Sequence, residues 1–304
     1  MRPGWLPLAE FPFESRHVAV DGHLIHHVDE GSGPTLPLVH AGPAWSFVFR
    51  DVIDRLRDQF RCVALDLPGS GLSTAAPTYR PSMEAASHVL ESFVDALGLR
   101  DITLVVHDLG GPVALAVAAR RPELVAGLAV TESFAWPLPA ENPSIARALR
   151  VFGGRTFDTV NAATNLLARV SAGGHGAGRH LTAAGRRAFR GPYRDRRVRR
   201  IAVAMLRDAL AGEAHLRAVD GAVRTVLRDL PVLLVFGRRS PAVKGGFPAG
   251  WRARYPDAPL LLVEGAHHFP MADDPEAVAD LIASWWEESV ASEAVGLPRA
   301  GITH

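Results

Sequence analysis

Short apolar runs alternate with longer amphipathic runs along most of this chain, and the alternation predicts strands and helices in turn. Two strand-like runs flank Asp21-Gly22, and such a link is typical of a hairpin, so the sheet is expected to begin antiparallel. Further along, alternating strands and helices predict a parallel sheet covered on both faces. The predicted strands are 16–20, 24–29, 35–40, 62–65, 102–106, 126–130, 231–237 and 260–263, and the helices around them are 47–59, 82–97, 110–120 and 275–288.

The rhythm changes after the sixth predicted strand. Residues 133–228 contain helical patterns and glycine-rich punctuation but no convincing strand, so they are predicted to be a helical cap inserted after that strand. Segments 1–132 and 229–304 would then form one α/β domain with an eight-stranded, mostly parallel sheet. A tail from about residue 291 to the end has no pattern and is predicted to fray.

The charges of the chain nearly balance, with 33 Lys and Arg residues against 32 Asp and Glu residues. A net charge of +1 creates no overall field that would attract nucleic acid or an anionic membrane. Cys62 is the only cysteine, which excludes an intramolecular disulfide. No run approaches the roughly 20 apolar residues needed to span a bilayer. We expect a cytoplasmic protein without nucleic-acid or membrane partners, and the sequence leaves the oligomeric state open.

Residues 103–115 predict a strand, a tight turn and a small-residue helix in that order. Such a turn displays its middle side chain above the edge of a sheet and requires small neighbours, which here are Gly110 and Gly111. The displayed side chain is Asp108. A carboxylate attacks saturated carbon without first losing a proton, so Asp108 is a candidate nucleophile. A role as the helix N-cap is the alternative, but it does not account for the two glycines.

A late histidine and a carboxylate at a strand end are candidates to complete a triad with this nucleophile. His268 lies in a loop after the last predicted strand, where a general base that returns to the nucleophile belongs. The orienting acid is expected after a neighbouring strand. Segment 237–240 offers no acid, whereas Glu132 directly follows the strand at 126–130. Asp257 and Glu264 are weaker candidates because neither closes the required turn.

The segment His-Ala-Gly-Pro at 40–43 follows a strand and can present a backbone N–H toward the nucleophile. Together with the N–H of Leu109 it would form an oxyanion hole, whose donors require no side chain. A plain turn is the alternative.

Three other patterns have simpler explanations. Eight arginines and one acid, Asp195, lie between residues 186 and 200 and could bind phosphate or an anionic substrate, but a solvated cap surface explains them better. The glycine-rich segment 173–178 has no preceding strand and no Gly-Lys-Ser/Thr ending, so it is predicted to be a flexible loop. No metal site is predicted from His23, His26 and His27, because they lie along a short strand without a cysteine or carboxylate partner set.

Taken together, these motifs resemble those of the haloalkane dehalogenases, a family of the α/β-hydrolase superfamily. The resemblance covers nearly all of residues 11–282. It favours His268 over the neighbouring His267, because the family's histidine is followed by phenylalanine, which here is Phe269. The segments that carry the resemblance are 11–16, 28–34, 40–50, 60–64, 68–73, 107–112, 134–137, 189–193 and 268–269.

The resemblance implies an α/β-hydrolase fold and a reaction without cofactor or metal. Asp108 would displace a leaving group from an sp3 carbon and form an alkyl ester. His268, oriented by Glu132, would activate the water that hydrolyses this ester, while the backbone amides of Gly42 and Leu109 hold the oxyanion. The implied partner is a small apolar substrate that carries a halide or an epoxide group.

Two positions depart from the family pattern. A tryptophan usually follows the nucleophile and binds the halide, but this position is Leu109, and the usual asparagine of the His-Gly-Asn-Pro motif is Gly42. Neither side chain offers a hydrogen-bond donor. Candidate substrate-binding residues that would replace these donors are Trp45, Trp136 and Tyr193. Two alternatives stay open: an epoxide hydrolase with Tyr193 as its acid, and a non-hydrolytic biosynthetic or binding protein on the same fold.

Overall fold

The computed structural model of the chain describes residues 2–174 and 176–291. Its strands are β1 (Arg16–Val20), β2 (His23–Glu30), β3 (Thr35–Val39), β4 (Arg61–Leu65), β5 (Ile102–His107), β6 (Val125–Thr131), β7 (Val232–Gly237) and β8 (Leu260–Val263). They form one sheet in the order β1-β2-β4-β3-β5-β6-β7-β8. β2 is antiparallel to both β1 and β4, and the other neighbours are parallel. The predicted eight-stranded, mostly parallel sheet with an antiparallel start is confirmed.

Helices cover both faces of this sheet and fill the segment between β6 and β7. They are α1 (Arg50–Leu56), α2 (Met83–Ala96), α3 (Gly110–Arg120), α4 (Leu138–Glu141), α5 (Pro143–Phe152), α6 (Arg155–Thr164), α7 (Leu166–Ser171), α8 (Ala183–Arg190), α9 (Arg196–Ala211), α10 (Glu213–Val223), α11 (Pro241–Lys244), α12 (Phe247–Arg252), α13 (Pro270–Asp273) and α14 (Pro275–Trp285). Short 3-10 segments lie at Leu8–Glu10, Ser46–Phe49, Pro122–Leu124, Ala177–Arg179 and Pro192–Arg194, and a π-helical segment at Trp286–Ala291 follows α14.

Local sequence explains the start of the sheet and corrects two helix boundaries. Asp21 and Gly22 both have positive φ, 50° and 78°, which is the backbone of the tight turn that an Asp-Gly hairpin favours. The helix predicted over 47–59 begins instead with the 3-10 segment Ser46–Phe49 and continues as α1 to Leu56. The closing helix predicted over 275–288 ends at Trp285, where the π-helical segment begins.

The core lies on both faces of the sheet because the parallel strands alternate their side chains between two apolar layers. Along β5, Leu104 and Val106 pack into one layer and Val105 packs into the other, and all three are buried. The first layer includes the buried faces of α2 and α3, and the second includes those of α1 and α14. The carboxyl ends of β5 and β6 therefore lie at one fixed edge of the sheet.

Between β6 and β7 the described residues form helices and 3-10 segments and no strand. α9 joins these helices together: Arg207 Nε donates to the carbonyl of Gly153 at the end of α5 (2.7 Å), and Arg199 Nη1 donates to that of Ala162 in α6 (2.8 Å). The division of the chain into a catalytic domain, 1–132 with 229–304, and a cap, 133–228, stays a prediction. The predicted tail lies outside the described residues beyond Ala291. No helix within the described ranges is long and apolar enough to cross a membrane.

Candidate active site

The turn between β5 and α3 places Asp108 above the edge of the sheet. Asp108 has a left-handed backbone conformation, with φ 49°, and its side chain is 20% exposed. The turn is tight: a Cβ at Gly110 would lie 2.3 Å from the carbonyl oxygen of Val39, and one at Gly111 would lie 1.9 Å from Ser133 Oγ. Backbone thus excludes a larger side chain at Gly110, and a larger side chain at Gly111 would displace the hydroxyl of Ser133.

His268 lies between two carboxylates. Its Nε2 is 3.5 Å from Asp108 Oδ2, and its Nδ1 donates to Glu132 Oε2 over 3.3 Å. The three side chains come from the ends of β5 and β6 and from the loop between β8 and α13, so residues far apart in sequence meet at one edge of the sheet. The geometry brings together the three residues that the sequence singles out as a triad.

Glu132 is fully buried and has several hydrogen-bond donors around it. It follows β6 with a left-handed backbone, φ 53°. Its Oε1 accepts from the N–H of Gly237 (2.6 Å), and its Oε2 accepts from the hydroxyl of Ser240 as well as from His268. Burial raises the pKa of Glu132, and these hydrogen bonds partly offset that effect. Segment 237–240 thus supplies donors to the carboxylate, although it contains no acid itself.

The two carboxylates control the protonation of His268. Burial by itself lowers the pKa of this imidazole, but hydrogen bonds and negative charge from Asp108 and Glu132 outweigh burial and raise the pKa to about 10. His268 is therefore positively charged at neutral pH.

His107 holds the loop that carries His268. Its Nε2–H donates to the carbonyl oxygen of His268 at 2.8 Å, and its ring lies 4.9 Å from that of His268, centroid to centroid. Burial and the neighbouring His268 charge lower the pKa of His107 to about 3, so it remains a neutral donor. Sequence reasoning missed this role, although the signal is a histidine at the end of a buried strand directly before Asp108.

Two residues that line the same cavity as Asp108 have backbone amides without a partner in the described protein. Gly42 and Leu109 both line it, and within residues 2–174 and 176–291 neither amide donates a hydrogen bond to another protein group. A hydrogen bond joins the segment that carries Gly42 to the loop after β4: the N–H of Leu67 donates to His40 Nε2 over 3.0 Å. Both amides are therefore available as hydrogen-bond donors.

A cavity of about 400 Å³ lies above Asp108 and His268 and beneath the helices that follow β6. Among the described residues that line it, Asp108, His268 and Ser171 have polar side chains and all others are apolar or glycine. The apolar side chains of its wall are Pro43, Leu109, Phe134, Leu138, Ile145, Leu149, Phe152, Phe157, Leu166, Leu167, Val170, Leu206, Ala209, Pro241, Ala242, Phe247 and Phe269. This composition suits an apolar substrate with one reactive group at the charged end.

Three predicted substrate-binding residues lie outside this cavity, which corrects the expectation that they line it. All three are fully buried in the core, and their polar atoms are bonded to the protein. Tyr193 donates its hydroxyl proton to the carbonyl of Ala44 (2.9 Å), and Trp45 Nε1 donates to the carbonyl of Phe189 (3.2 Å). Trp136 Nε1 donates to the side-chain oxygen Oδ1 of Asn142, just before α5 (2.7 Å). Tyr193 is therefore not placed to protonate an epoxide in this cavity.

His26, one of the three histidines of β2, is bonded to a buried carboxylate. His26 Nδ1 lies 2.8 Å from Asp66 Oδ2, and Asp66 also accepts from the N–H groups of Ser46 and Leu72 (2.8 Å each). This buried carboxylate connects β2 to the loop after β4. Within the described part of the chain, no group of three or more His, Cys, Asp or Glu residues is arranged to hold a metal ion.

Comparison with known proteins assigns the chain to a fold and to a family. The family model described as alpha/beta hydrolase fold matches residues 34–275, so the chain is an α/β hydrolase. The haloalkane dehalogenase 2 of Mycobacterium tuberculosis is 32% identical over 276 residues, which cover 90% of this chain and 94% of that protein. More narrowly, the chain belongs to the haloalkane dehalogenase family and is a hydrolase enzyme.

The chain is also similar to a decarboxylase and to a dehalogenase of known structure. A cis-3-alkyl-4-alkyloxetan-2-one decarboxylase of Xanthomonas campestris is 27% identical over 289 residues, with 88% of this chain and 94% of that protein covered. The crystal structure of the haloalkane dehalogenase DbeA from Bradyrhizobium elkani superposes with a TM-score of 0.81 over 93% of this chain and 99% of that one. Its sequence is 24% identical, so this likeness supports the fold alone.

Proposed function

We propose that this hydrolase displaces halide from an sp3 carbon of a small apolar substrate through an ester intermediate at Asp108. The observation that carries the proposal is the position of His268 between Asp108 and Glu132 at the charged end of an apolar cavity. In the first step an Asp108 oxygen forms a bond to carbon as the carbon–halogen bond breaks and halide leaves. In the second, water attacks the ester carbonyl and the alcohol departs, which restores the carboxylate.

His268 becomes a base only after the ester has formed, because its pKa depends on the charge of Asp108. Ester formation removes the negative charge 3.5 Å from Nε2, and with it one of the two influences that raise the pKa of His268 to about 10. The pKa then falls toward neutrality, so the imidazole releases its proton and accepts one from the attacking water. Glu132 keeps the ring oriented, and the amides of Gly42 and Leu109 donate to the oxyanion.

The departing halide has little side-chain support in this cavity. Leu109 and Gly42 offer no donor, and the loss of one donor to developing charge costs about 3 kcal/mol, roughly a hundredfold in rate. Weakly basic leaving groups depend least on such donors. We therefore expect iodoalkanes and bromoalkanes to react much faster than the corresponding chloroalkanes.

Replacement of His268 by glutamine tests the ester cycle. His268→Gln leaves the nucleophile intact but removes the base, so incubation with 1-bromohexane should leave a covalent hexyl group on the protein. Intact-mass and peptide mass spectrometry would place this group on Asp108. The matched control Asp108→Asn/His268→Gln should remain unmodified. If His268→Gln stays unmodified while the unaltered enzyme releases bromide, the ester mechanism is wrong.

Decarboxylation of an oxetan-2-one is a second candidate, favoured by the missing halide donors and by the relatives with that activity. Asp108 would attack C4, the alkyl-bearing carbon that is bonded to the ring oxygen. The bond between C4 and the ring oxygen breaks, which leaves a free carboxylate on the substrate. Loss of CO2 then supplies the electron pair of a carbon–carbon double bond as the bond to Asp108 breaks. Inversion followed by anti elimination converts a cis-dialkyl ring into a cis-alkene, and no water is consumed.

The two candidates give different products in water labelled with 18O. Dehalogenation of 1-bromohexane releases bromide and yields an alcohol whose oxygen derives from water through turnover of the ester. A cis-3,4-dialkyloxetan-2-one would yield a cis-alkene and CO2, with no label in the alkene. Measurement of both product sets on the same enzyme preparation, by gas chromatography and mass spectrometry, identifies the preferred reaction. Absence of both sets would contradict both candidates.

A further inference from the structure

A second concavity lies on the outer side of the helices that follow β6. Asn165, Arg169, Arg187, Arg190 and Arg194 line it, and its volume is about 150 Å³. The arginines come from α7, from α8 and from the 3-10 segment after α8, so the fold converges cations from separate elements. We call this feature the arginine concavity. It is separate from the cavity above Asp108, since the two share no lining residue.

The four guanidinium groups of the arginine concavity lack neutralising carboxylates. Within residues 2–174 and 176–291 none of them forms an ion pair, whereas buried Arg254 of the same protein pairs with both Glu141 and Asp220. Like charges held close together repel, and the repulsion is relieved when a counter-charge enters. A solvated surface alone would not require these cations to surround a recess.

We propose that the arginine concavity binds an oxyanion, that is, a phosphate or carboxylate group. Guanidinium groups present pairs of N–H donors whose planar geometry matches two oxygens of such a group, and charge-assisted hydrogen bonds of this kind are among the strongest available. A single phosphate group fits within the recess. The side-chain amide of Asn165 adds a neutral polar group to the wall.

α7 connects this recess to the cavity above Asp108. Arg169 lines the recess, while Val170, the next residue, and Leu166, three residues earlier, are 61% and 39% exposed and also line the apolar cavity. Neighbouring positions on a helix are separated by about 100° around its axis, so an apolar strip lies directly beside the cations. The oxyanion could thus be a free ion or the head group of an amphiphile whose chain lies on this strip.

Titration calorimetry with inorganic phosphate tests the site without reference to catalysis. Sodium chloride keeps the ionic strength constant, so that only specific binding is detected. The variant Arg187→Gln/Arg194→Gln should bind phosphate about tenfold or more weakly. The matched control Arg196→Gln/Arg200→Gln removes the same charge from exposed arginines of the same run that do not line the recess, and it should bind as the unaltered protein does. Circular dichroism verifies that each variant is folded.

Decyl phosphate, used below its critical micelle concentration, distinguishes the two sources of the oxyanion. Equal affinities for decyl phosphate and inorganic phosphate assign the site to a free ion, and at least about tenfold tighter binding of decyl phosphate assigns it to a head group. No saturable binding of either probe to the unaltered protein overturns the proposal. Equal loss of binding in the two double variants also overturns it, because general charge would then explain the effect.

Discussion

Neutralising Asp108 without changing its shape should lower the pKa of His268 by one to three units. In the substitution Asp108→Asn the side chain remains nearly isosteric, and asparagine tolerates the left-handed backbone at this position, φ 49°. Asp108 Oδ2 and Glu132 Oε2 lie 3.5 and 3.3 Å from the two ring nitrogens, so they contribute comparably to a pKa of about 10. Removal of one opposite charge at such a distance shifts a pKa by about 1–3 units.

Histidine titration by NMR measures this shift directly. Selective labelling reports the 13 histidines of the chain, and the signal that disappears in His268→Gln identifies His268. His107, with a pKa of about 3, should not titrate between pH 5 and 10 in either protein and serves as an internal control. A shift of less than half a unit in Asp108→Asn would refute the reasoning that the charge of Asp108 controls the pKa of His268.

The same pKa predicts how stability depends on pH. The folded-state pKa of His268 lies above the ordinary value of 6.5, so its protonation stabilises the fold fully below pH 6.5, and this contribution is lost as the pH rises through about 10. Because Asp108→Asn reduces the raised pKa, it should lower the free energy of unfolding more at pH 6 than at pH 10. Urea denaturation at the two pH values measures the difference, and an equal effect at both would contradict the linkage.

Further predictions concern the neighbours of the triad. Leu109→Trp introduces an indole donor into the cavity and should accelerate chloride release up to about a hundredfold in a halide assay, whereas Leu109→Phe, which adds bulk without a donor, should not. Gly111→Ala would place a Cβ 1.9 Å from Ser133 Oγ and should reduce the free energy of unfolding by about 1–3 kcal/mol in urea. Ser240→Ala removes a hydrogen bond that lowers the pKa of Glu132, so the acid limb of the pH–rate profile should move to higher pH. Ser240→Thr keeps the hydroxyl and should restore the original limb. An acid limb that does not move in Ser240→Ala would exclude this role of Ser240.

The fold was largely predictable because its strands and helices have strong periodic signals. The buried parallel strands are nearly continuous apolar runs, and the Asp21-Gly22 turn permits little but a hairpin, so the eight strands were recognised from local patterns. Helix ends were less predictable. The start of the helix before β4 is a 3-10 segment, Ser46–Phe49, whose four residues are all buried, and this burial depends on tertiary contacts that no local pattern reveals.

The grouping of Asp108, Glu132 and His268 was predictable for a different reason than the contacts around it. Asp108, Glu132 and His268 each lie at or beyond a strand end, and the topology of a parallel sheet brings such ends to one edge. The contacts of aromatic residues do not follow from topology. Tyr193 is separated from Ala44 by 149 residues, and only the packing of the helices after β6 shows that its hydroxyl is bonded there. Ser240 and His107 were missed because they do not line the cavity: Ser240 donates to Glu132, and His107 donates to the backbone of His268.

Glu132 has a further consequence for how such enzymes diversify. The chain leaves the sheet directly after Glu132 and rejoins it at Val232, and the carboxylate of Glu132 accepts a hydrogen bond from Gly237 at the far end of the returning strand. The excursion thus begins and ends on neighbouring strands that are already paired with each other. We therefore expect the segment between Glu132 and Val232 to vary in sequence, and with it most of the cavity wall, while Asp108, Glu132 and His268 keep their places at the ends of the sheet.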